Sequence, residues 1–310
     1  MNQERYRTLN QEYRERFGRK VYKVSLNAGM TCPNRDGTLG TRGCIFCSAG
    51  GSGDFAVTGQ SITAQIEEAK EKVAGKMPTR SEGASYIAYF QAYTNTYAPI
   101  ERLREVFTEA IHHPDIAGLS IGTRPDCLPD DVLDLLEELG REKPIWVELG
   151  LQTIREDTAK YIRRGYELTC FEKAVDDLKR RGLQVVVHLI IGLPGEGKED
   201  LLSAIEYLNP LPIDGIKLQL LHVLEGSDLA DEFRKNQVPV LDMETYVDWI
   251  VTAIGKLRPD ITVHRVTGDG PKKILLAPLW SGNKKLVLNT IRHELSVRNI
   301  RQGDNYFANI

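Results

Sequence analysis

The sequence predicts an α/β fold in which six strand–helix units form an open, partial (β/α)6 barrel flanked by N- and C-terminal extensions. Three observations point there. From residue 21 onward, short apolar or β-branched runs alternate with longer segments of helical period, as in a parallel sheet covered by helices. Six units fall short of the eight that close a full barrel, and right-handed crossovers curl six of them into about three quarters of one. Three cysteines follow the first strand directly, on the face where the loops after barrel strands gather.

In chain order the strands are expected at residues 21–26, 86–90, 118–121, 145–149, 185–191 and 215–220, with a seventh at 261–266. Helices are expected at 62–74, 100–112, 130–139, 155–163, 170–181, 198–208 and 243–257, each with apolar residues three and four apart. Thr169 and Glu172 have capping-box spacing, Gly140 and Gly182 stand where helices would end, and Pro129 suits a first turn. The chain divides into an N-terminal extension (1–20), a core (21–255) and a basic C-terminal extension (256–310) packing on the core. No repeat, low-complexity tract or long linker interrupts it.

With 310 residues and 41% hydrophobic content the chain can bury a core of its own. Five cysteines, three of them in one loop, do not make a disulfide framework and indicate a reducing cytoplasm. Residues 1–20 are polar, without the apolar run of a signal peptide, and no segment approaches the ~20 apolar residues of a membrane span. The net charge of −3 hides an asymmetry: residues 1–20 carry 6 basic and 3 acidic groups, residues 255–310 carry 10 and 4, and the stretch between is acidic. Basic ends are either a solvated scatter or a positive surface for an anionic polymer.

The cysteines lie in Cys32-Pro-Asn-Arg-Asp-Gly-Thr-Leu-Gly-Thr-Arg-Gly-Cys44-Ile-Phe-Cys47, with no further cysteine or histidine nearby. Structural zinc takes four protein ligands, and a four-iron cluster is commonly held by four thiolates. A trio leaves one iron open. A strand, three cysteines with Phe46 just before the last, and then a helix resemble the radical S-adenosylmethionine superfamily. The usual Cys-x3-Cys-x2-Cys is altered here, with eleven residues between Cys32 and Cys44 and the short half intact. The long first spacing containing Pro-Asn-Arg-Asp-Gly resembles the bacterial YhcC/YtqA-type branch, related to the elongator catalytic subunit and oxygen-independent coproporphyrinogen oxidase. The resemblance runs from about Tyr6 to Asn299.

It implies an enzyme that reductively cleaves S-adenosylmethionine at a [4Fe–4S] cluster held by Cys32, Cys44 and Cys47, with electrons from a low-potential donor such as flavodoxin or ferredoxin. Phe46 precedes the last ligand. Tyr93 and Thr94 take the place of the family's Gly-Gly-Thr-Pro segment, which contacts the cofactor. Glu148-Leu-Gly150-Leu-Gln152 resembles the elongator-type Glu-Leu-Gly-Val-Gln, placing Gln152 at the cofactor and Glu148 in the barrel. Arg164 is implied to meet the cofactor carboxylate and His188 its ribose, while Gly37, Gly40 and Gly43 would turn amides toward the cluster. A glutamate amid Trp146-Val-Glu148-Leu is costly to bury alone, so a salt bridge to a barrel arginine is the alternative role. In Gly122-Thr123-Arg124-Pro125-Asp126, similar to elongator-type Glu-Thr-Arg-Pro-Asp, Arg124 and Asp126 either pair with each other or act as ligands. Cys127 and Cys170 read as packing residues, and His222 as a substrate-side candidate.

For substrate, the resemblance implies tRNA, with 5-carboxymethylaminomethyl(-2-thio)uridine cut back to 5-aminomethyl(-2-thio)uridine at the wobble position. Lys272, Lys273, Lys284, Lys285, Arg292, Arg298 and Arg301 supply charge, and Tyr306 and Phe307 stacking faces. A tail helix across the barrel mouth with solvated lysines accounts for the same residues. A porphyrinogen-like metabolite and a non-catalytic cluster-binding module are the rival functions.

Overall fold

The computed structural model describes residues 4–51, 56–59, 61–75, 86–268 and 270–307. α1 (Leu9–Phe17) precedes β1 (Tyr22–Leu26), followed by α2 (Ile62–Ala74), β2 (Tyr86–Phe90), α3 (Ile100–His112), β3 (Ile116–Thr123), α4 (Asp130–Gly140), β4 (Ile145–Gln152), α5 (Glu156–Tyr161), α6 (Leu168–Arg180), β5 (Gln184–Ile191), α7 (Lys198–Leu208) and β6 (Gly215–Leu220). Then come β7 (Val223–Leu224), α8 (Asp228–Arg234), α9 (Met243–Lys256), β8 (Thr262–Arg265), β9 (Leu275–Ala277) and α10 (Lys284–Val297). A seven-stranded parallel sheet has the order β1-β2-β3-β4-β5-β6-β8, and β7 pairs with β9 antiparallel. The seventh barrel strand, β8, therefore comes from the segment read as the C-terminal extension.

Strand alternation explains the layering. One side of each strand carries Val24, Ala88, Leu119, Val147, Val187 and Leu218, fully buried in the main core against the helices. From α3, Leu103, Val106, Phe107 and Ala110 meet that layer at the three-and-four spacing of an amphipathic helix. The other side carries Lys23, Tyr89, Ser120, Glu148, His188 and Lys217 and lines the lumen.

The N-terminal segment departs from its expected role as a polar extension. α1 plugs the end of the barrel where the strands begin: Tyr13 and Phe17 pack on Trp146 with ring centroids 5.4 and 6.4 Å away, and Trp146 Nε1 donates to Glu12 Oε1 at 3.3 Å. Tyr13, Ile87, Trp146 and Val186 form a separate buried cluster there. The amide of Val263 donates to the Arg7 carbonyl at 2.8 Å, and that of Gln302 to the Arg5 carbonyl at 2.9 Å, so both ends of the chain lock onto β8 and each other. Sequence reading finds no helix here, because in a nine-residue stretch rich in Arg and Glu the apolar stripe is short.

Three local expectations change. α5 is shorter than 155–163, because Arg163 takes the left-handed conformation (φ +59°) and the chain turns toward the cysteine loop. α6 begins at Leu168 with Glu167 at its N-cap, so Thr169 and Glu172 form no capping box. Glu172 instead accepts a hydrogen bond from the Tyr207 hydroxyl at 2.8 Å. α10 does not cross the barrel mouth; Val287, Ile291 and Leu295 bury against the outer layer alongside α9, and Arg298 pairs with Asp248 at 2.5 Å. Among the described residues no helix is long and apolar enough to cross a membrane.

Trp146 is fully buried under α1, so Trp146→Ala should lower unfolding free energy by about 3–5 kcal/mol. Urea titration checks this; a loss below about 1 kcal/mol would mean that the plug does not hold the barrel closed.

Candidate functional site

The loop after β1 folds on itself. The Cys32 carbonyl accepts from Arg35 and Asp36 (2.8 and 3.2 Å), the Pro33 carbonyl from Leu39 and Gly40 (2.8 and 3.2 Å), and the Asn34 carbonyl from Gly43 (2.7 Å). The amides of Gly37, Gly40 and Gly43 are thus consumed within the loop, contrary to the expectation that they face a cluster. Gly43 has another purpose: at φ +74°, a Cβ there would lie 2.9 Å from Arg35 Nε. Arg35 needs that space to donate to the Ser48 carbonyl at 2.6 Å, bridging the two halves of the loop.

Asn34 and Arg163 join the loop to the barrel. Asn34 Nδ2 donates to Cys44 Sγ (3.3 Å) and to the Arg163 carbonyl (2.7 Å). The Arg163 guanidinium donates to the Gly43 carbonyl at 3.1 Å and pairs with Asp228, which also holds Arg42. The three thiols form one electrostatic group. The hydrogen bond from Cys47 brings the Cys44 thiol down to about 7 against its burial, aided by Asn34, Arg124 and Arg35. That same hydrogen bond, burial and the neighbouring Cys44 and Cys32 push Cys47 up. Such a group relieves its crowding by giving protons up to a cation.

Around the thiols, the strand ends are strained. Tyr93 (φ +60°) lays its ring over Gly51 and donates its hydroxyl to the Ala49 carbonyl at 2.7 Å. Thr94 is buried, its amide on the Thr31 carbonyl at 3.1 Å. Phe46 packs on the cluster of Ile45, Ile162, Leu193, Leu221 and Val223. Gln152 (φ +64°) sits at a register shift between β4 and β5, with its side-chain amide over Gly150. Bulges of this kind re-aim side chains beside active sites.

Other expected contacts have partners inside the chain. Arg164 is 1% exposed; Nε donates to the Tyr166 carbonyl (3.0 Å), Nη1 to the Thr153 carbonyl (2.7 Å) and Nη2 to Glu156 (2.9 Å). A cofactor carboxylate would have to displace one of these. Arg124 makes a two-pronged pair with Asp126 at 2.9 and 2.7 Å. Cys127 turns toward Asp126, and burial pushes its thiol up to about 12. The thiol of Cys170 is also raised by burial. His222 packs under Gly268 and Gly270.

Below the mouth lies the lumen. The Glu148 carboxylate, fully enclosed, accepts from Lys23 (2.6 Å) and Ser120 (2.6 Å) on Oε1, and from His188 (2.8 Å) and Lys217 on Oε2. Burial works against its charge, yet Lys217 and Lys23 hold the carboxyl well below its usual range. Burial, with Lys217 beside it, pushes His188 down to about 4, so the ring is neutral. Its Nε2 then carries the proton given to Glu148, and Nδ1 faces the Gln219 amide at 3.5 Å. The expected arginine partner of Glu148 is thus a pair of lysines. Sequence reading missed Lys23 and Lys217, although each is, like Glu148, a charge among apolar strand residues.

The thiols fit a metal cluster with three protein ligands: three sulfurs come from one braced loop, the Cys44 thiol is held low, and Cys127 and Cys170 are drawn elsewhere. Glu148→Gln should cost about 3–5 kcal/mol, since it strands buried lysines. In urea unfolding, the double variant with Lys217→Met should lose less than the sum of the single losses by at least about 1 kcal/mol. Additive losses would remove the lumen ion cluster as a stabilising tie.

The profile described as Radical SAM superfamily matches residues 37–208, and the Radical_SAM C-terminal domain matches residues 213–296. The first match covers Cys44 and Cys47 and starts after Cys32. The chain is 43% identical over 301 residues to the uncharacterized protein YtqA of Bacillus subtilis, covering 97% of this chain and 92% of that one. It is 25% identical over 326 residues to Elongator complex protein 3 of Schizosaccharomyces pombe, covering 92% of this chain and 59% of the relative. An N-terminally deleted archaeal Elp3 from Methanocaldococcus infernus shares the fold at a TM-score of 0.67 and 18% identity, over 91% of this chain and 64% of that one. This chain spans less than two thirds of either elongator protein. A trio of thiols at the mouth of a parallel barrel, with profile matches spanning nearly all of it, places the chain in the radical S-adenosylmethionine superfamily, as an enzyme of its YhcC/YtqA-type branch.

Proposed function

We propose that Cys32, Cys44 and Cys47 hold a [4Fe–4S] cluster at which S-adenosylmethionine is reductively cleaved, and that the enzyme converts 5-carboxymethylaminomethyl(-2-thio)uridine to 5-aminomethyl(-2-thio)uridine at the wobble position of tRNA. The observation that carries the reading is the thiol trio with no fourth cysteine in its braced loop, which follows a strand whose Lys23 reaches into a polar lumen. When bound, the cluster and S-adenosylmethionine supply hydrogen-atom abstraction from an unactivated C–H bond. The protein's own part is geometric. Asn34, Arg35 and Arg163 fix the ligand loop, Tyr93 and Gln152 shape the rim, and α1 seals the far end against water. A flavodoxin or ferredoxin would deliver the electron.

The relatedness to Elongator complex protein 3 supports a tRNA substrate. So do the exposed Lys272 and Lys273, which leave the barrel at the C-terminal end of β8, the end that carries the cysteine loop. Arg298 and Arg292 contribute less to such a surface, because Arg298 pairs with Asp248 and Glu294, and Arg292 lies 3.9 Å from Glu4. Phe307, 83% exposed, keeps a face for stacking.

Nucleosides from total tRNA of a strain lacking the protein should accumulate carboxymethylaminomethyluridine and lose the aminomethyl product; a Cys44→Ala gene should not restore it. An unchanged nucleoside profile would overturn the wobble-uridine assignment. Replacing Lys272 and Lys273 together by Glu should weaken tRNA binding severalfold at low salt and flatten its dependence on salt, as measured by filter binding. Unaltered binding would exclude this loop from the tRNA surface.

A further inference from the structure

The lumen carries more positive than negative charge. Lys23, Lys217 and Arg265 all face it, and among the described residues Glu148 is the only carboxylate that pairs with any of them. Arg265 is the least satisfied. It stands beside Lys217 in the β6–β8 register, and among the described residues its only hydrogen bond is a long one, 3.4 Å from Nη1 to Gln219 Oε1. The side-chain amide of its partner Gln219 lies 3.5 Å from His188 Nδ1, which sets the guanidinium on the lumen side of the sheet. Burial pulls the Lys217 ammonium down to about 7 against the attraction of Glu148, with Lys23 and Arg265 adding to the strain. A lumen built only for stability would not set Arg265 beside two lysines that already share one carboxylate.

The lumen is not fully closed. Lys23 and His188 keep 17% and 16% of their side chains exposed, Gln219 and Arg265 are half-buried, and Gly122, beside Glu148 in the β3–β4 register, brings neither charge nor bulk. Strand rise sets Gln219 and the rim about 7 Å above Lys217. A short arm entering from the mouth can therefore reach the cations while its middle stays level with the rim.

We propose that Arg265, with Lys217 and Gln219, forms a docking site in the lumen for a carboxylate of the substrate. A guanidinium with free donors is the group suited to recognise a planar carboxylate. The inference rests on the wobble-uridine reading, in which the carboxymethyl end of the modified base is that anion. Anchored at the floor, the arm would hold the carbon between amine and carboxylate below the cysteine loop, and the aminomethyl product, lacking the anion, would lose its hold and leave.

The test uses two anticodon stem-loops, one carrying 5-carboxymethylaminomethyluridine and the other 5-aminomethyluridine, titrated against cluster-loaded protein with S-adenosylmethionine present. The wild type should bind the carboxylate form roughly ten- to a hundredfold tighter. Arg265→Gln should erase that preference and Arg265→Lys restore part of it, with circular dichroism and iron content reporting that both variants are folded. Equal wild-type affinities, or a preference that survives in Arg265→Gln, would overturn the docking site and leave the tRNA reading standing. Wild type that binds neither stem-loop would overturn both.

Discussion

A single enclosed carboxylate organises the inside of this barrel. Glu148 on β4 is gripped from β1 by Lys23, from β3 by Ser120, from β5 by His188 and from β6 by Lys217. β1 and β6 are not neighbours in the sheet, so these bonds act across the lumen, where backbone pairing cannot reach. The arrangement costs desolvation, and a buried ion pair is at best a modest net stabiliser. Its larger effect is on register. A one-residue slip of any of these strands would turn its polar member out into the apolar helical layer and leave Glu148 short of a partner.

The two ends of the barrel are treated in opposite ways. The end where the strands begin is closed by apolar matter, with Tyr13, Phe17 and Trp146 stacked and the chain termini hydrogen-bonded across β8. At the other end, closure is left to loops, and three of the five non-glycine residues at positive φ among the described residues, Tyr93, Gln152 and Arg163, lie there, with Tyr93 and Arg163 touching the cysteine loop. Such conformations cost about 1–3 kcal/mol each and persist where surrounding structure over-determines them. Here the determinants are visible, in the Tyr93 hydroxyl on Ala49, the Gln152 amide over Gly150, and the Arg163 carbonyl held by Asn34. A rigid rim over a polar well suits chemistry in which a reactive species must meet one C–H bond and little else.

The sequence by itself determined the fold class and singled out the cysteine trio, because both depend on signals of short range. Strand alternation, helical period and the spacing of Cys32, Cys44 and Cys47 are readable within windows of a few to about twenty residues. Tertiary structure alone decided the partners. That Glu148 meets Lys23 and Lys217 instead of an arginine, that Arg163 braces the cysteine loop, and that a polar N-terminal stretch becomes the barrel plug all involve residues from 69 to 134 positions apart. Local pattern says that a buried charge needs a counter-charge, but which one supplies it depends on which strands the closed sheet brings face to face.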